Sequence, residues 1–195
     1  MNKEGSVNMS SAQQVVNKMI EATLFQLTAQ VNVEQFEQVI QQNLATKEQA
    51  TTSTTQFYDA LMLNIVYFFE NKKSWQALVE SMFTGKEVLA VESFEQEMLT
   101  QQMMIRQDLD EKQQAYTEQF HPQYEHPEFT RESICYEYAF ESLAHSLRAD
   151  FTTQFIRKFA NSPVLVEVDV AETIRVMDGT IEYHVSNIVN NMNFA

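Results

Sequence analysis

The chain has 195 residues, 44% hydrophobic and 21% charged, with a formal charge of −14, which fits one ordinary globular domain and excludes disorder of the whole chain. So large an acidic excess disfavours a direct grip on nucleic acid, which needs a basic footprint against the phosphates. Three Gly, three Pro and one Cys leave little material for tight turns, exclude phosphate-cradling glycine loops and rule out an internal disulfide, so long helices in a reducing, cytoplasmic setting are expected.

Residues Met1 to Met9 read as a loose polar tail. Ser10 or Ser11 then offers a cap to a helix whose Val15, Val16, Met19, Ile20, Leu24 and Leu27 recur at the three-and-four spacing of one helical face. Asn32 caps a second, with Phe36, Val39, Ile40 and Leu44. The Thr-rich run Ala45 to Gln56 is the best internal linker. Phe57 to Glu70 is apolar nearly all round and so belongs at the centre of a core. Its run Leu61 to Phe69 is broken by Asn64 and is far short of the ~20 residues that span a membrane. After Asn71 to Lys73, Ser74 caps a further helix that Gly85 closes.

From Lys86 to Phe120 no Gly or Pro intervenes. A helix of that length would measure about 50 Å. Val91, Phe94, Met98, Ile105, Leu109 and Tyr116 give it one narrow apolar stripe and leave a wide polar face. The stretch HPQYEHPEF, His121 to Phe129, repeats a His-Pro step, and its prolines predict a non-helical connector over Phe120 to Phe129. Thr130 caps the next helix, with Ser133 where a full capping box carries Glu. Tyr136, Phe140, Leu143, Leu147, Phe151 and Phe155 line one side of that helix.

Residues 163–195 admit two readings. Val164, Val166, Val168 and Val170 alternate with polar and apolar neighbours, and Asp178-Gly179 between two β-rich runs favours a hairpin pairing Val176 with Ile181 and Arg175 with Glu182. The rival is a helix opened by an Asp169/Glu172 capping box, with Val170, Ile174, Met177, Ile181, Val185 and Ile188 on one stripe. Gly179 would cost that helix about 1 kcal/mol.

The charge is unevenly placed. Between Glu87 and Glu141, 13 acidic residues face only Arg106, Lys112 and Arg131, so −10 of the −14 falls in this segment. A surface built from Glu95, Asp108, Asp110, Glu111, Glu118, Glu125 and Glu128, with Tyr124 and Phe129 as aromatic anchors, would suit a protein partner with a basic surface. Two metal readings stand against it. His121, Glu125 and His126 are donors of the right kind for zinc or iron, but His-Pro steps are ordinary turn starters. Glu137, Glu141 and His145 stand at steps of four, with Arg148 beyond, and carboxylates and histidine in this order occur on ligand helices of di-iron bundles. The Glu-to-His step there is three, and no second copy of the motif occurs. A solvated face with i, i+4 contacts explains the row more simply. Cys135 has no Lys or Arg nearby except Arg131 and reads as a buried small hydrophobe. Met103 and Met104 are adjacent and cannot both face inward, which leaves one for an interface.

The expectation is a mainly α, single-domain bundle of five or six helices, with a small C-terminal β-hairpin or a last helix. It binds another protein as an adaptor, assembly factor or inhibitor, at the extreme as a nucleic-acid mimic. It needs no cofactor and does not enter a membrane, and its oligomeric state is open. The alternative is a helical-bundle metal-carboxylate enzyme using Glu137, Glu141 and His145 with His121 or His126.

Overall fold

A computed structural model describes residues 10–84, 91–159 and 168–194. These residues form seven helices and no strand: α1 (Ser11–Ala29), α2 (Val33–Ala50), α3 (Thr54–Thr84), α4 (Val91–Glu111), α5 (Gln113–Tyr124), α6 (Arg131–Phe159) and α7 (Val170–Val189). The expected tail Met1 to Met9, the closing Gly85 and the alternating residues Val164 and Val166 lie outside the described residues.

The caps form where short polar side chains precede apolar periodicity. Ser10 Oγ accepts from the Gln13 backbone N–H at 3.1 Å, and Asn32 Oδ1 from that of Gln35 at 3.0 Å. At α6 the box is reciprocal. Thr130 Oγ1 accepts from Ser133 N–H at 3.1 Å, and Ser133 Oγ accepts from Thr130 N–H at 2.8 Å.

The C-terminal hairpin is not formed. Residues 170–189 are helical, Gly179 has no positive φ, and Thr173, Met177, Ile181, Val185 and Val189 are buried at steps of four. Period-four burial over five turns outweighs the local turn signal of Asp178-Gly179. Asp169 Oδ1 caps the helix by accepting from Glu172 N–H at 2.8 Å. The other half of the box comes from α1: Gln13 Oε1 accepts the Asp169 N–H at 2.8 Å, while its amide donates to Thr173 Oγ1 at 3.1 Å. The Glu172 carboxylate is instead paired with Arg175.

Other boundaries also move. The Thr-rich linker shrinks to residues 51–53, because α2 continues to Ala50 and α3 begins at Thr54. Ser74 caps nothing: α3 runs through it, since no residue between 71 and 74 breaks a helix. The long stretch to Phe120 bends at Lys112 (φ −107°, ψ 14°) and yet keeps its ladder, with Lys112 N–H on Asp108 O and Tyr116 N–H on Lys112 O, both at 3.0 Å. His121 and Pro122 belong to the last turn of α5 rather than to a connector. Near a helix end a proline forfeits a single backbone bond, so the helix survives it.

The centre is made by α1, α3, α6 and α7, with α3 packed most extensively on α6, and α2, α4 and α5 laid against α3. One apolar cluster includes Val16, Ile20 and Leu24 of α1, Leu61, Ile65 and Trp75 of α3, Leu147, Phe151 and Phe155 of α6, and Ile181 and Val185 of α7. None of the helices in the described residues is long and apolar enough to cross a membrane.

Candidate functional site: an acidic helical face and a buried arginine

Along α4 and α5 the narrow stripe is buried through Phe94, Leu109 and Phe120, and the remainder faces outward. Glu95, Asp110, Glu111, Glu118, Glu125 and Glu128 are exposed; Asp108 is half-buried and pairs with Lys112 Nζ at 2.6 Å. Both adjacent methionines are outside: Met103 is 73% and Met104 59% exposed, and Leu99 one turn earlier is 55% exposed. They border a shallow groove with Tyr67, Gln107, Asp110 and Glu111. The Arg106 guanidinium lies 4.1 Å from the centroid of the Tyr67 ring at its edge, stacked as a cation on the ring face.

The aromatic anchors expected in the connector are used internally. Tyr58, Tyr124 and Phe129 form a trio with centroids 4.8 to 5.5 Å apart. The Tyr124 hydroxyl donates to Asp59 Oδ1 at 2.8 Å. Burial first, and then this carboxylate, hold its phenol well above the ordinary range. His121 Nε2 lies 3.3 Å from Asp59 Oδ2, while His126 Nδ1 accepts from the Glu128 N–H at 3.2 Å. The two histidines therefore serve different local contacts. Among the described residues no three of His, Cys, Asp or Glu are gathered as a metal site.

The row Glu137, Glu141, His145 and Arg148 is not a solvated face. Glu141 and Arg148 are 5% and 3% exposed, and Glu137 and His145 are half-buried. The reason is the position of α6, which is packed by α1, α3, α4 and α7. His145 rests on Phe68 and Tyr67, with centroids at 5.2 and 6.0 Å. Burial and the neighbouring Arg148 lower its pKa and keep the ring neutral. Burial raises the Glu141 carboxyl, against the pull of Arg148 and with a push from Glu137. Asp178 of α7 is likewise raised by burial, against Lys72, its hydrogen bond from Gln76 and Arg148.

Arg148 is the unusual member. Its Nε and Nη1 are buried without a hydrogen-bond partner, as are Glu141 Oε2, Asp178 Oδ1 and Asn71 Oδ1. The guanidinium lies 6.0 Å from the Trp75 ring centroid, and the Trp75 indole donates to Thr152 Oγ1 at 2.6 Å. Arg148 also lines a cavity of about 300 Å³ between α3, α4 and α6. Its floor holds Asn71, Trp75, Phe94 and Arg148, all buried, and its rim holds the exposed Glu95, Leu99, Ala149 and Asp150. The sequence pattern carried a trace of this cavity: Arg148 continues the Glu137-Glu141-His145 row, but the depth of the row depends on the four helices packed on α6.

No protein-family model, no curated protein and no solved structure matches the chain.

Proposed function

We propose that this chain is a non-catalytic protein-binding module, of the adaptor, assembly-factor or inhibitor kind, whose α4–α5 face receives a basic amphipathic helix of another protein. The observation that supports it is the exposed pair Met103 and Met104, set in a groove bordered by Asp110 and Glu111. Adjacent exposed methionines offer an adaptable apolar contact, and the carboxylates around them repel acidic partners and attract Lys- and Arg-bearing ones. The competing metal-carboxylate enzyme needs a converging ligand set, and Glu137, Glu141 and His145 lie in a row whose neighbours are Arg148 and aromatic rings.

The test compares partners retained by the native chain with those retained by two variants, D110K/E111K/E118K and M103S/M104S. Leu99 and Glu95 are left intact because they also border the buried cavity. A partner of the proposed kind is lost from both variants, and its on-rate to the native chain falls steeply as salt passes 0.1 M, where the screening length is ~10 Å. On-rates indifferent to salt and to both variants would reduce the acidity to a solubility device.

A further inference from the structure

We propose that the cavity between α3, α4 and α6 is a binding site for a small monocarboxylate with an apolar body, its carboxylate seated against Arg148. The cavity meets the groove at Met103 and Met104 through the shared Leu99 and Gln102, and its reading does not depend on the one given for that groove.

Arg148 is 3% exposed, and its Nε and Nη1 nitrogens have no hydrogen-bond partner. Guanidinium stays charged in proteins, so a buried one without a close acceptor is held at a cost unless something supplies that acceptor. Nothing in the described chain does. Among the described residues Arg148 makes no ion pair, and Glu141 and Asp178, the acids that act on it most strongly, are themselves pushed toward the protonated form by burial. The carboxyl of a ligand is the matching group, since its two oxygens fit the guanidinium fork.

The surroundings narrow the ligand further. Trp75, Phe94 and Met98 make apolar walls, which favour an aryl or alkyl body, and a volume of about 300 Å³ stands at the small end of ligand pockets. A cationic head is repelled by Arg148. A doubly charged head such as phosphate meets the rim carboxylates Glu95 and Asp150, so single charge is preferred. Asn71 Oδ1, also unpaired, gives a ligand hydroxyl an acceptor, while one N–H of the Asn71 amide donates to Tyr67 O at 2.7 Å.

Trp75 is the only tryptophan of the chain and part of the cavity floor, so its emission reports on occupancy. The probes are 3-phenylpropionate and decanoate, the corresponding alcohols and amines, and inorganic phosphate. The full chain is expected to bind the carboxylates saturably, with a change in Trp75 emission and a rise in Tm. The alcohols should bind at least tenfold more weakly, the amines and phosphate undetectably. Arg148→Gln should bring acid and alcohol to equal affinity, and Ala149→Phe at the rim should block both. Should Arg148→Gln fail to fold, the acid, alcohol and amine series on the native chain still decides. Equal binding of acid and alcohol to the native chain, carboxylate binding that survives Arg148→Gln unchanged, or no saturable binding of either carboxylate overturns the proposal.

Discussion

Gly179→Ala tests the last helix by the sign of a single stability change. In α7 this glycine is exposed, has no positive φ, and, apart from the backbone of its own helical turn and its chain neighbours, has nothing within 4 Å of where a Cβ would stand. Alanine therefore meets no steric cost there. In a helix interior it is favoured over glycine by about 1 kcal/mol, part of it through the reduced freedom of the unfolded chain. With about 2.1 cal/mol/K of unfolding entropy per residue, a chain of 195 residues has ΔS near 0.4 kcal/mol/K, so Tm should rise by about 2 to 3 °C. The urea midpoint should rise with it at unchanged m-value. An Asp-Gly hairpin gives the opposite sign, because its glycine needs a positive φ that alanine adopts only under strain. A fall in Tm for Gly179→Ala, measured by circular dichroism at 222 nm, would refute the helical register of residues 170–189.

Two further outcomes follow from the buried groups. Burial raises the Glu141 pKa above its ordinary 4.5, so the folded chain binds this proton more tightly than the unfolded chain, and the group's contribution to stability diminishes as pH rises through the folded value. Glu141→Gln should therefore be most stabilising relative to the native chain near pH 7, and its advantage should shrink as pH falls toward 5; a Tm difference that grows on acidification contradicts this. Cys135 is 1% exposed, and burial, offset in part by Arg131, raises its thiol pKa. An aromatic disulfide reagent at pH 8 should label it only at the rate of unfolding, so that labelling accelerates in urea, whereas prompt stoichiometric labelling in native buffer would place the thiol at the surface.

Most of the helical content was legible in the residues, because caps and periodic apolar positions are local. Ser10, Asn32 and Thr130 sit at the helix starts the sequence assigns them. What was not legible depended on more than one helix. The signal of Asp178-Gly179 is local, and it is overruled by α1, α3 and α6, which cover Met177, Ile181 and Val185. Glu137 and Phe155 are 18 residues apart, about five turns at 3.6 residues each, so Glu137 falls at the edge of the apolar stripe of α6, with Glu141 and His145 beyond it. A wheel drawn for α6 alone favours its richest apolar side and assigns the row of charged residues to solvent. It takes α1, α3, α4 and α7 together to bury them, while Ser146, Ala149 and Asp150 of the same helix stay exposed. The acidic face of α4 and α5 was legible because one exposed side needs no partner to define it. The internal contacts of Tyr124 and Phe129 were not legible for the converse reason: Tyr58 and Asp59, more than 60 residues earlier in the chain, are what they touch.

The clasp of Gln13 on Asp169 joins positions 156 residues apart, and it sets an order for synthesis. A ribosome adding about 5 to 20 residues per second takes roughly 8 to 30 s to travel from one side of that bond to the other. Throughout this interval Val16, Ile20 and Leu24, which end up without solvent exposure between α6 and α7, have no α7 to lie against. The side of the first helix that α7 covers therefore stays open until the last segment has emerged, and the bundle closes only then.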